Sequence, residues 1–226
     1  MIDHDTWPLW EKRFADFLQQ DAAVADAAHD PEHIRRVVQN AKALAQSEGG
    51  ALAVIIPAAW LHDCVHVPKD SPQRSLASQL AAQTAVAFLR TIDYPAQYLP
   101  DVAHAIAAHS FSANIPPRTL AAQIVQDADR LDALGAIGIA RCLMLGGEMG
   151  KPLYHPAEPL PQTRSPDDGH YTIDHFYCKL FKLADKMNTR SARQEALRRA
   201  AFMRRYLAQL EQEVGPVSVN APATEI

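Results

Sequence analysis

An all-α fold is what this sequence predicts, interrupted by one long Pro/Gly-containing loop. Three observations carry that reading. Apolar residues recur at three- and four-residue steps, the alternation of exposed strands is nearly missing, and helix start and stop signals punctuate the chain. Trp7, Trp10, Phe14, Phe17 and Leu18 make a first helix amphipathic. Asp30-Pro31-Glu32 starts a second: Asp30 can cap it, and Pro31 suits the first helical position, where an amide has no partner to lose. That helix should run to about Ser47 and stop at Gly49-Gly50. The run Ala51–Asp63 is a buried strand or a buried helix by periodicity alone; its alanines and its length favour a helix. Further helices are predicted over Pro72–Arg90, Tyr98–His109, Thr119–Leu145, Ile173–Met187 and Ser191–Glu213. Between Gly146 and Tyr171, Gly, Pro, Asp and Ser displace the pattern. A loop of this length is either functional or disordered, and its position suits a lid or specificity element. No helical pattern follows Glu213, so residues 214–226 are expected to form a flexible tail. With no internal repeat and no linker, residues 1–213 read as a single helical domain with a loop insertion at about 146–171.

Charge and composition narrow the chemistry. Lys and Arg number 22 against 26 Asp and Glu, a net charge of −4, so neither a long nucleic acid nor an anionic membrane is an expected partner. The 3 cysteines are widely spaced and form no C-x-x-C pair, which argues against a disulfide framework and fits a reducing cytoplasm. The longest apolar run, Ala51–Leu61, is broken by Pro57 and too short to span a bilayer. The first residues lack the basic and apolar segments of a signal peptide. With 10 histidines against 3 cysteines, imidazole is the expected carrier of any metal chemistry.

One constellation suits such chemistry: His33, the pair His62-Asp63, and Asp129, on three different predicted helices. Two imidazoles and two carboxylates are hard or borderline donors for a divalent ion, and four ligands leave two octahedral positions for water and substrate oxygen. An apolar run leads straight into His62-Asp63, and burying such a pair is costly unless it is paired or binds metal. Asp129 sits where acids interrupt an apolar helix, and Asp129 and Asp132 share a face. A lone His-Asp dipeptide arises often by chance, however. A satisfied buried histidine beside capped helices accounts for these residues as well.

The ordered set adds a resemblance. His33-Ile34-Arg35-Arg36-Val37, Ala59-Trp60-Leu61-His62-Asp63, the stretch His104–Ser112 and the stretch Ile124–Gly138 together resemble the H…HD…D signature of the HD-domain phosphohydrolases. Within that superfamily they are most like the bacterial YedJ/YpgQ-like subgroup, and the similarity runs from His29 to about Tyr206. The resemblance implies an all-α HD-domain helical bundle and a metal-dependent enzyme acting on nucleotides. It carries His33, His62, Asp63 and Asp129 over as ligands of one divalent ion, Mn²⁺ first, with Fe, Co, Ni, Mg or Zn as alternatives. Its Ala-Asp-Arg-Leu frame selects Asp129 over Asp127, and the neighbouring pair His29-Asp30 is set aside because Asp30 is explained as a cap.

Candidates for the remaining chemistry are His109, His66 and Asp132. His109, at an expected helix end, suits phosphate contact or acid–base catalysis. His104, five residues earlier and about 140° away around a helix, reads as structural. His66 lies one expected helical turn after His62, where distant relatives that hydrolyse ppGpp carry an acid. Asp132 suits orienting a water, pairing with an arginine, or a surface ion pair. Arg36, Lys69, Arg74 and Lys182 are candidate phosphate contacts, though exposed cations look the same. The arginines of the last helix are interspersed with Glu195, Glu211 and Glu213, as on a solvated face. The resemblance thus implies a small phosphorylated substrate, with a nucleoside triphosphate cleaved to monophosphate and pyrophosphate as first choice. A phosphodiesterase or nuclease on cyclic or oligomeric nucleotides, and a non-catalytic metal- or nucleotide-binding module, are the other readings. A homo-oligomer is compatible with all three.

Overall fold

The computed structural model describes residues 4–20, 31–67, 71, 73–110 and 113–215. Among them every regular element is helical and no strand occurs, as expected. The expected Asp30 cap, the His29-Asp30 pair, Lys69 and residues 216–226 lie outside the described set. No described helix is long and apolar enough to cross a membrane. The described residues fall into two compact units, one within Met1–Asp132 and Met187–Gln194, the other within Ala133–Lys186 and Glu195–Ile226.

The first unit holds α1 (Trp7–Gln20), α2 (Pro31–Glu48), α3 (Leu52–Leu61), α4 (Ala77–Thr91), α5 (Leu99–His109) and α6 (Leu120–Asp132). Helix α3 is apolar nearly all round, the pattern of a helix with neighbours on every side. It packs against α1, α2, α5 and α6. Pro57 lies inside it and cannot bond to the Ala53 carbonyl one turn back. The Tyr94 hydroxyl fills that role, donating to Ala53 O at 2.8 Å. Burial pushes the Tyr94 phenol up from its ordinary pKa, which keeps it a donor. Tyr94 is delivered by the end of α4, where Asp93 adopts φ 56° and the Asp93 and Tyr94 amides return to Arg90 O and Leu89 O at 3.3 and 3.0 Å. This is a Schellman turn with aspartate where glycine is usual.

On α2 the buried residues His33, Ile34, Val37, Val38, Ala41, Leu44 and Ala45 form one stripe at three- and four-residue spacing. That stripe packs on α3 and α6. His33 therefore enters the interior by periodicity alone.

The expected continuous helix over Thr119–Leu145 is two helices. Helix α6 ends at Asp132, and α7 (Gly135–Glu148) begins after Leu134 in extended backbone (φ −121°, ψ 161°) and Gly135 at φ 75°. Helical bonding cannot run through those dihedrals, and a side chain at Gly135 would be strained there. The helix expected over Ile173–Met187 is shorter and irregular, with a π-helical turn at Phe176–Leu180 followed by α8 (Phe181–Ala184). Helical geometry begins at Asp174, one residue after the expected start, and the Asp174 side chain is bonded to Arg164 and to the Asp167 amide. The last helix, α9 (Arg190–Val214), agrees with expectation, and Glu195 on it binds Arg198 and Arg199 at 2.7 Å each.

The long loop of the second unit is tied down by its own side chains. Asp174, fully buried, binds Arg164 through both carboxylate oxygens. Arg164 Nε also donates to Glu158 O at 3.0 Å. The Glu158 carboxylate in turn accepts from the Gln162 and Thr163 amides at 2.7 and 2.6 Å and from the Thr163 hydroxyl at 2.8 Å.

Candidate metal centre

Three helix ends of the first unit bring four expected residues together. His33 comes from the first turn of α2, His62 and Asp63 from the residues just past α3, and Asp129 from the last turn of α6. His33 Nε2 lies 3.5 Å from Asp129 Oδ1, and His62 Nε2 lies 3.6 Å from Asp63 Oδ2 and 3.9 Å from Asp129 Oδ1. His109, at the end of α5, joins from the other side, its Nε2 3.4 Å from Asp63 Oδ1. The donor atoms form two overlapping groups, His33–His62–Asp129 and His62–Asp63–His109, each with its atoms within 4.8 Å of one another.

The far nitrogen of each ring is anchored. His62 Nδ1 donates to Ala59 O at 2.9 Å and His109 Nδ1 to Ile106 O at 2.6 Å, each using a carbonyl three residues back that the helix end leaves free. His33 Nδ1 lies 2.7 Å from Asp132 Oδ2. With protons placed on Nδ1, the Nε2 lone pairs of His33 and His62 face the cluster, the usual arrangement for imidazole ligands. His62 Nε2 is fully buried and has no hydrogen-bond partner. An orphaned imidazole nitrogen facing two carboxylates and two further rings fits a divalent cation and is costly otherwise.

The electrostatics agree with that donor set. Burial, helped by the rings of His109 and His33, pushes the pKa of the His62 imidazole down. Burial works against the Asp63 carboxylate, but His62, His109 and His33 outweigh it and hold the carboxyl well below its usual range. At His109 burial opposes the charged ring, yet contact with Asp63 prevails and pushes its pKa up. The three rings are buried, whereas the side chains of Asp63 and Asp129 keep 40% and 29% exposure. The open side of the cluster is its carboxylate side.

The other candidates separate. Asp127, the competitor of Asp129, is fully buried and accepts from the Asn188 and Thr189 amides and from the Thr189 hydroxyl, all within 3.1 Å. It fastens the turn that opens α9. Asp132 is not on the surface: it is buried against His33 and Arg36. Arg36 shares the face of His33 as expected, and its guanidinium is spent on Asp132. His66 is exposed and does not follow His62 by a helical turn, because α3 stops at Leu61 and the chain leaves helical geometry after Asp63. His104 Nε2 accepts the Arg118 amide at 3.0 Å, a structural role. Arg74 begins a short 3₁₀ turn, its side chain outside the description, and Lys182 is exposed on α8 in the second unit. Sequence reasoning missed the Asp132–His33 contact and the helix-end carbonyls behind His62 and His109. The spacing of a histidine in a last helical turn is the signal that finds the latter.

A helical unit whose helix ends present two histidines and two aspartates in the order H…HD…D defines the class. The HD domain family matches residues 32–134. The uncharacterized protein YpgQ of Bacillus subtilis is 32% identical over 192 residues, 83% of this chain and 85% of YpgQ. An HD-superfamily hydrolase from Bacillus thuringiensis superposes with a TM-score of 0.70 at 34% identity, covering 90% of this chain and 97% of that one. The crystal structure of Bacillus subtilis YpgQ in complex with ADP superposes with a TM-score of 0.69 at 31% identity, covering 89% and 96%. The chain belongs to the HD-domain superfamily and stands with it among the metal-dependent phosphohydrolases.

Proposed function

We propose that this chain hydrolyses nucleoside triphosphates to monophosphate and pyrophosphate, using one divalent ion, Mn²⁺ first among the alternatives. The observation that carries the metal part is the buried, partnerless His62 Nε2 facing Asp63 and Asp129. The nucleotide part is supported by the complex of YpgQ with ADP. His33, His62, Asp63 and Asp129 would hold the ion. When bound, it would polarise a phosphate oxygen and lower the pKa of a coordinated water.

The residues of the chain supply the rest. The substrate's phosphates approach from the carboxylate side, since the rings are sealed behind it. His109 donates Nδ1–H to the Ile106 carbonyl, and contact with Asp63 raises its pKa; in its charged form the ring carries a second proton on Nε2, against Asp63 Oδ1. From there it donates a hydrogen bond to a phosphate oxygen as charge develops. The net charge of −4 suits a small phosphate compound over a long polyanion.

The test is a panel of nucleoside triphosphates, cyclic nucleotides and short oligonucleotides with Mn²⁺, Mg²⁺, Co²⁺, Ni²⁺ and Zn²⁺. Pyrophosphate release is expected with Mn²⁺, and Asp63→Ala should lower kcat/KM by about 10²–10³-fold or more with its circular dichroism unchanged. Unchanged activity in Asp63→Ala would falsify the metal site. Turnover of oligonucleotides without triphosphates selects a phosphodiesterase, and nucleotide binding without turnover selects a binding module.

A further inference from the structure

His62 and His109 find Nδ1 acceptors in their own helices because they stand at C-terminal ends, where carbonyls are free. His33 stands in the first turn of α2, where the free backbone groups are N–H donors. Its ring needs an acceptor from elsewhere. Asp132, the last residue of α6, supplies it at 2.7 Å. Asp132 is 1% exposed, a costly place for a carboxylate without partners. Arg36, one turn along α2 from His33, donates Nε to Asp132 Oδ1 at 2.6 Å and NH2 to Oδ2 at 3.2 Å.

Asp129 and Asp132 lie three apart on α6 and address the two nitrogens of one ring. Asp132 is at hydrogen-bond distance from Nδ1, whereas Asp129 Oδ1 stays 3.5 Å from Nε2. A proton on Nδ1 satisfies Asp132 and leaves the Nε2 lone pair for an ion. An arginine–aspartate pair alone would suffice to fasten α2 to α6. The third contact goes to the ring nitrogen opposite the one that faces the cluster.

We infer that Asp132, held by Arg36, is a positioning residue that fixes the proton of His33 on Nδ1 and aims Nε2 at the metal cluster. This rests on the metal reading above, and the experiment keeps the two apart. The full chain, stripped of metal, is labelled with ¹⁵N-histidine to read the His33 tautomer, and separately titrated calorimetrically with Mn²⁺ alone. The wild type should show His33 protonated at Nδ1 and not at Nε2. Asp132→Asn keeps the volume but loses the charge. It should raise the population of the other tautomer and weaken the Mn²⁺ Kd by about 10–100-fold. Arg36→Gln leaves Asp132 in place and should move both readings the same way by less, which carries the test if Asp132→Asn does not fold. Wild-type tautomer and an Mn²⁺ Kd within about twofold of wild type in both variants overturn the inference, even if melting temperatures fall. If the wild type binds no Mn²⁺, the metal reading fails, and the metal-free spectra still decide what Asp132 does to His33.

Discussion

Two regions gather acids and bases away from water and treat them in opposite ways. In the second unit, Asp174 gives both oxygens to Arg164 and one also to the Asp167 amide, while Arg164 reaches the Glu158 carbonyl. In the first unit, the imidazoles are anchored by their far nitrogens, and the near atoms approach one another only to 3.4–3.9 Å. Those distances exceed ordinary N–H···O bonds. A group that fastens a fold is saturated. A group that recruits an ion is held from behind and keeps its near side for it.

That contrast breaks if the two regions respond alike to the same treatment. The largest expected effect is in the fastened one. Asp174→Ala leaves the Arg164 guanidinium, mostly buried, without its partner and should cost about 3–5 kcal/mol in urea unfolding. Mn²⁺ binding measured on the same variant at low temperature should be unchanged. An intermediate effect belongs to the cluster: Mn²⁺ at about 100 times its Kd should stabilise the wild type by about 2.7 kcal/mol. Asp129→Ala should abolish that gain, and thermal shifts with and without Mn²⁺ measure it. A full metal-dependent shift in Asp129→Ala would place the ion elsewhere.

The smallest effect sharpens the fastened side. Hydrogen bonds from the Thr163 amide and hydroxyl, with those from Gln162 and Arg164, hold the Glu158 carboxyl at about 2. A folded-state pKa below the unfolded one means that Glu158 supports the loop above the ordinary carboxylate value and loses that support as pH falls through about 2. Carbon-detected titration of Glu158 should show that low midpoint, and Thr163→Ala should move it upward. An ordinary midpoint in the wild type would remove Glu158 from the ties that hold the loop.

Much of the first unit was legible in the sequence because burial there follows periodicity. The stripe on α2 places His33 inward, and the apolar run of α3 delivers His62-Asp63 at its end. The choice between Asp127 and Asp129 was not a matter of local pattern. It depends on Asn188 and Thr189, about sixty residues on, which occupy Asp127. The break between α6 and α7 was hidden because apolar residues continue at helical spacing across it and Gly135 alone marks the change. His66 misled for a related reason: no glycine or proline follows Asp63 until Pro68, so nothing local announces that the helix has stopped.

The bond from Tyr94 to the Ala53 carbonyl reaches beyond the helix it repairs. Proline at position 57 and a hydroxyl at position 94 are a single solution distributed over two places in the chain. Related sequences should therefore exchange them together: where residue 57 recovers an N–H, phenylalanine becomes acceptable at 94, whereas proline with phenylalanine strands a half-buried carbonyl. Covariation between these two columns, remote from any chemistry, would trace the history of the helix that carries His62 to its place.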